Sequence, residues 1–177
     1  MLEIILIFAA VTVIVFIIIA ARQPAEFRVT RTTTISAPAA AIFPHVNTLQ
    51  KWHAWSPWAK LDPNATTTFD GPESGIGAVM GWAGNNKVGV GSMTITDSRP
   101  DEYIQFRLDF QKPFKGTNSA EFTFQADSGQ TKVTWTMTGR NDFIGKVMGL
   151  IMNCDKMVGG QFEKGLMNLK SVVEALA

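Results

Sequence analysis

The sequence predicts an α+β domain carried behind one apolar helix, and three patterns predict it. An unbroken apolar run opens the chain, hydrophobic residues recur at every second position through its middle, and they recur at every third or fourth position near its end. A period of two marks half-buried strands and a period near 3.6 marks an amphipathic helix, so strands followed by a terminal helix close into layers around one core.

The opening run, from Ile4 to Ala21, has Thr12 as its only polar interruption. At 1.5 Å per residue it spans roughly 27 Å, close to the hydrocarbon thickness of a bilayer. Residues 1–22 are therefore expected to form a single-pass membrane anchor that meets the bilayer through residues 4–21. A cleaved signal peptide would carry Lys or Arg ahead of a shorter apolar run, and Glu3 is the only charged side chain there. Arg22, Arg28 and Arg31 follow the run and no basic side chain precedes it, so the positive-inside bias places the soluble part in the cytoplasm. With no G-x-x-x-G spacing, the run reads as a tether rather than an assembly device.

Residues 23–177 suit one domain with a sizeable core. The chain has 16 Lys and Arg against 15 Asp and Glu, with no basic run, which argues against nucleic acid as a partner. Cys154 is the sole cysteine, so no internal disulfide, C-x-x-C redox pair or cysteine-built zinc site can form. His45 and His53 do not reproduce the H-E-x-x-H zinc spacing. No metal and no cofactor are expected.

The strands follow from alternation. EFRVTRTTTI (26–35) alternates Phe27, Val29 and Ile35 with polar neighbours, and EYIQFRLDF (102–110) sets Ile104, Phe106, Leu108 and Phe110 against Tyr103, Gln105, Arg107 and Asp109. SAEFTFQA (119–126) offers Ala120, Phe122 and Phe124, and TKVTWTMTG (131–139) offers Val133, Trp135 and Met137. One wet face and one covered face mean an antiparallel sheet. The breaks GNNK (84–87), RPDE (99–102) and DSGQ (127–130) have the composition of hairpin turns. TTTFDG (66–71) and the glycine-rich pair GIGAVMGWAG (75–84) and VGVGSMTIT (88–96) are shorter, less regular strands. Gly75, Gly77 and Gly81 miss the G-x-G-x-x-G spacing and lack a strand-turn-helix setting, which argues against a phosphate cradle. Glycines inside strands mark bulges, bends or close approach, and here they predict a strongly curved sheet.

Helical signals stand at two places. Ser36 with Pro38 reads as a cap and first-turn proline, Asn47 with Gln50 as a capping box for a second short helix, and Pro44 as a kink or break between them. Near the end, Val158, Phe162, Leu166, Leu169 and Val173 recur at three- and four-residue steps, predicting one amphipathic helix from about Asn153 to Ala175. Gly159, Gly160 and Gly165 each cost that helix about 1 kcal/mol relative to Ala. They are expected either to bring it close to the sheet or to leave room for a bound molecule.

KWHAWSPW (51–58) holds three of the five tryptophans. Each ring can bury ~150–250 Å², so the three must cover something. Trp52 and Trp55, three apart on a short helix, share a side, while Ser56-Pro57 ends the helix and sends Trp58 into the following loop. The segment is expected either to wall a cavity at the open end of the sheet or to fill the core. Side chains for chemistry are few: His53 and Tyr103 are the proton donors an enzyme would use, and Tyr103 is out of phase with Ile104 and Phe106. A helix N-terminus lowers a thiol pKa, so Cys154 invites a nucleophile reading, although a buried structural cysteine is commoner. No paired carboxylates are visible, and no catalytic residue is assigned.

Four stretches in order, WHAWSPWAKLDP (52–63), DGPESGIGAVMGWAGN (70–85), VGVGSMTIT (88–96) and FEKGLMNLK (162–170), together resemble the polyketide cyclase/dehydrase-like branch of the START-like, helix-grip (SRPBCC) superfamily. The resemblance runs over 26–176. It implies a curved seven-stranded antiparallel sheet around a long C-terminal helix, with a deep apolar cavity between them. Members similar in shape serve as lipid and hormone carriers, cyclases and dehydratases, hydroxylase domains and cochaperones. The expectation is a binding protein for an apolar small molecule, a lipid or polyketide-like compound, with a cyclase/dehydratase or a cochaperone-like module as alternatives. Its expected lining takes Trp52, Trp55, Trp58 and Trp82, then Phe106, Phe110 and Phe122 from the strands. Trp135, Met137 and Phe162 complete it.

Overall fold

The computed structural model describes residues 1–151 and 154–176, the side chains of Met148, Ile151 and Cys154 excepted. Helix α1 (Leu2–Ala21) precedes β1 (Glu26–Ile35), α2 (Ala39–Asn47), a 3₁₀ turn (Leu49–Lys51) and α3 (Trp52–Trp55). Six strands follow: β2 (Thr66–Asp70), β3 (Val79–Ala83), β4 (Val90–Arg99), β5 (Tyr103–Lys112), β6 (Gly116–Asp127) and β7 (Gln130–Arg140). Helices α4 (Phe143–Ile151) and α5 (Cys154–Glu174) complete the chain.

All seven strands form one antiparallel sheet in the order β1-β7-β6-β5-β4-β3-β2. Only the β1–β7 neighbours are distant in sequence, and ten residue pairs from Glu26↔Arg140 to Ile35↔Thr131 join them. The alternation is kept throughout: Ile104, Phe106, Phe122, Phe124, Val133 and Trp135 are buried on the inner face. Thr30 meets Thr136 and Thr32 meets Thr134 through their hydroxyls on the outer one. Register shifts at Val90/Gly91 and Ile95/Asp97 supply the curvature the glycine-rich segment predicts.

Helix α5 lies along β1 and seals that edge of the sheet. Arg31 reaches from the inner face of β1 to Asp155 (3.0 Å) and Glu163 (2.6 Å), one turn on either side of Gly159. Gly159 leaves the room, since a Cβ there would run into the Arg31 guanidinium. Further along, Lys170 Nζ donates to the Thr34 carbonyl at 2.9 Å and the Ser36 backbone N–H donates to Glu174 Oε1 at 2.7 Å. Edge groups that would otherwise invite another strand are thereby taken.

Three local expectations are corrected. Ser36 does not cap α2: its N–H is held by Glu174, and Pro38 occupies the N-cap position of a helix beginning at Ala39. Pro44 neither breaks nor divides α2, which runs to Asn47. It lies in the second turn of a nine-residue helix, where its missing N–H removes the one bond to the Ala40 carbonyl while the helix continues to Asn47. Asn47 closes α2 instead of opening the next turn, its side chain accepting from Ser98 Oγ at 2.8 Å and its carbonyl accepting from the Gly75 N–H. The start of α5 expected at Asn153 lies outside the described residues; the described helix begins at Cys154.

Helix α4 is a third helical place that the periodicity did not reveal. FIGKVMGLI gathers Gly145, Lys146 and Gly149 on one side, but the helix is only nine residues long and two of those three are glycines, which are poor helix formers. The readable signal was at its start: Asp142 Oδ1 accepts from the Gly145 N–H at 2.7 Å, a side-chain cap.

Candidate functional site

The inner face of the sheet divides into a packed half and an open half. In the packed half, Trp135 stacks on Phe162 of α5 (centroids 4.0 Å apart, planes 6° apart) and on Phe122 at 4.8 Å. Trp52 lies 4.5 Å from Trp55 and meets Phe106, Phe122 and Trp135 edge-on at 5.4–5.9 Å. Edge-to-face and offset geometries are those aromatic quadrupoles prefer. The two tryptophans of α3 are fixed by their indoles: Trp52 Nε1 donates to the Val46 carbonyl (2.9 Å) and Trp55 Nε1 to the His45 carbonyl (3.0 Å). Both acceptors belong to the last turn of α2, whose carbonyls have no helical partner.

Ser56 ends α3, and Trp58 turns back over Trp135 (5.8 Å) and Phe162 (6.3 Å). Gly165 admits the Trp135 ring and Pro57 against α5. Among the described residues, Trp135 Nε1 is the buried side-chain donor without an acceptor. Such a group typically costs ~1–3 kcal/mol.

In the open half the inner face ends in Trp82 of β3 with Leu108 and Phe110 of β5, all half-buried. Trp82 lies 5.9 Å from Phe110, crossing β4 at Gly91, where a Cβ would stand 2.6 Å from Trp82 Cζ2. Met80 lies on the same face of β3, two residues before Trp82, and like Phe27 and Trp58 is half-buried against the core. The ten expected lining residues therefore separate: Trp52, Trp55, Phe106, Phe122, Trp135, Met137 and Phe162 are buried, while Trp58, Trp82 and Phe110 keep accessible surface. What sequence reasoning missed is the strand neighbours of this Trp82–Phe110 shelf, Met80 and Leu108, although their phase on the strands pointed inward.

Two depressions accompany this arrangement. One, about 880 Å³, lies along the polar outer face between Arg28, Gln105, Arg107, Ser119 and Thr138. The other, about 250 Å³, separates the 56–61 loop from Gln161, Lys164 and Asn168 of α5. Asn168 Nδ2 donates to the Trp55 carbonyl at 3.1 Å beside it.

The candidate proton donors stand elsewhere. His53 is exposed on the outer side of α3. Tyr103 is on the outer face, as its phase predicts, and donates to Glu121 Oε2 at 3.2 Å beneath the Arg99 guanidinium. Burial, then the Glu121 charge, pushes its phenol pKa up. The half-buried His45 is pushed down, first by burial and then by the Lys51 charge.

This sheet, this helix and this order of elements are those of a known family. The polyketide cyclase/dehydrase and lipid transport family matches residues 26–174. The chain belongs to it. Family membership and the helix-grip architecture make the soluble part a ligand-binding fold. Solved structures agree on the fold. Protein MLL2253 from Mesorhizobium loti is 12% identical, with 85% of this chain and 99% of that chain covered and a TM-score of 0.63. The Aha1 dimer from Colwellia psychrerythraea is 15% identical, covers 84% and 96%, and has a TM-score of 0.61. Protein CV1439 from Chromobacterium violaceum is 15% identical over 86% and 99%, with a TM-score of 0.60. A search of curated proteins gives no match.

Proposed function

We propose that this family member is a membrane-tethered binding protein for an apolar small molecule, a lipid or a polyketide-like compound, taken on the Trp82–Phe110 shelf. Residues 1–22 are the tether: α1 is 20 residues long with a mean hydropathy of 3.3 over its span, enough to cross a bilayer. Residues 23–177 are the binding domain, held on the cytoplasmic side by Arg22, Arg28 and Arg31. The observation that carries the reading is the shelf itself. Trp82 and Phe110 meet at 5.9 Å and keep accessible surface, with half-buried Met80 and Leu108 on the same face of the sheet, and apolar walls with few polar groups are what ligand sites use. The packed rings behind it form a rigid floor and keep the ligand toward the open end. The family's description, which includes lipid transport, supports the same class of ligand.

The test is native mass spectrometry of the full chain released from membranes in mild detergent. A small apolar molecule co-purifies with the wild type, and its occupancy falls at least about tenfold in Trp82→Ala, a loss equivalent to ~1.4 kcal/mol. The near-ultraviolet circular dichroism of the variant reports that the packed half is intact. An empty wild-type protein, or equal occupancy in the variant, overturns the reading.

A further inference from the structure

We propose that helix α4 and the β5–β6 turn form a membrane-contact face, which lays the shelf end of the domain on an anionic bilayer surface. This rests on reading α1 as a membrane span. Along α1 the exposure falls from 74% at Phe8 to 42% at Phe16 and 0% at Ala20. Helix α4 packs on α1, and Lys146 Nζ donates to the Ala21 carbonyl at 3.1 Å. A helix packed on the last turns of a membrane span stands at the level of the lipid headgroups.

Its composition suits that level. Lys146 is the one charged residue in FIGKVMGLI, and Phe143 and Ile144 are 51% and 55% exposed. A water-facing role gives no reason for this exposure, whereas an interfacial helix turns apolar side chains toward acyl chains. The β5–β6 turn repeats the pattern with Phe114, 59% exposed between Lys112 and Lys115. Sheet register sets it at the same end: Gly116 pairs with Phe110, Asn118 with Gly139, and Arg140 with Glu26, five residues beyond α1.

Charge separates the two ends of the sheet. The end near α1 carries Arg22, Lys87, Lys112, Lys115, Arg140 and Lys146 against Glu26, Asp62 and Asp142. The far end carries Asp70, Glu73, Asp97, Asp101, Glu102 and Asp127 against Arg99 and Lys132. An anionic leaflet attracts the first end and repels the second, so the domain is oriented as well as held. Trp82 and Phe110 lie at the attracted end, one pair in from the strand termini. An apolar ligand then passes between leaflet and shelf without crossing bulk water.

The experiment places single nitroxide labels on the full chain in a Cys154→Ser background, reconstituted in phosphatidylcholine–phosphatidylglycerol vesicles. Sites are Val15→Cys in the span, Phe114→Cys and Ile144→Cys on the proposed face, and Asp101→Cys at the far end. Collision with oxygen and with an aqueous nickel chelate reports the depth of each label. Labels at 15, 114 and 144 are expected in lipid and the label at 101 in water. Adding Lys112→Glu and Lys115→Glu is expected to move the label at 144 toward water. A label in lipid at 15 with 114 and 144 in water overturns the contact face and leaves the tether standing. A label at 15 in water removes the tether and this proposal with it. Spin–spin broadening at 114 or 144 that vanishes on dilution with unlabelled chain shows a second copy on this face, which also overturns it.

Discussion

Two glycines of α5 offer a controlled test of how the helix meets the sheet. A methyl group added at Gly160 has nothing within 4 Å, whereas one at Gly165 stands 2.8 Å from Trp135 Cζ3 and 3.1 Å from Pro57 Cδ. Replacing either glycine by alanine gains about 0.8–1.0 kcal/mol of helix propensity. At Gly160 that gain is expected undiminished. At Gly165 the ring cannot retreat, because Phe162 holds it at 4.0 Å on one face and Phe122 at 4.8 Å on the other. Overpacking of this kind costs roughly 1–3 kcal/mol, so Gly165→Ala nets from no change to a loss of about 2 kcal/mol. The two variants should thus differ by about 1–3 kcal/mol, or roughly 3–10 °C in Tm for a domain of this size. Thermal unfolding of the full chain, followed by near-ultraviolet circular dichroism, reads the difference directly. A Gly165→Ala protein as stable as Gly160→Ala would refute the close packing of Trp135 against α5.

Further expectations concern acid and the shelf. Asp155 is held below its ordinary carboxylate range by the Arg31 guanidinium, and Glu174 by the Ser36 backbone N–H. Groups depressed in the folded state stabilise it above their unfolded pKa and lose that contribution as pH falls through the folded value. The Tm should therefore hold near neutrality and fall below about pH 4.5, the ordinary value for Glu174. Asp155→Asn and Glu174→Gln should start lower and lose less on acidification, and melts across that range check it. Gly91→Ala would set a methyl 2.7 Å from the Asp109 carbonyl oxygen as well as into Trp82. It should destabilise by about 1–3 kcal/mol and displace Trp82, lowering occupancy of the bound molecule in the native mass spectrum.

Much of this architecture is written in local patterns. A period of two is enough to assign Phe106, Phe122 and Trp135 to the covered face, because a one-residue slip would expose every one of them. Spacing of three and four residues does the same for Phe162, Leu166 and Leu169 on α5. The shared side of Trp52 and Trp55 follows from their spacing, but whether those rings wall a space or fill it depends on where α5 crosses the sheet. No short window carries that information. Arg31 illustrates the same limit: it stands in the inward phase of β1 among threonines, and only the arrival of Asp155 and Glu163, more than a hundred residues later, gives its charge a place there. Helix α4 escaped notice for a different reason: it is short, and two of the three residues on its less apolar side are glycines.

The ten-rung pairing of β1 with β7 has a mechanical consequence. Any pull delivered through the N-terminal helix enters the domain along β1 and loads those rungs in shear, all at once, with the Arg31, Lys170 and Glu174 contacts to α5 sharing the strain. Peeling would need force across the strands, and the chain enters from the end. A load on the N-terminal helix is thus met by a whole edge of the sheet before the interior can open.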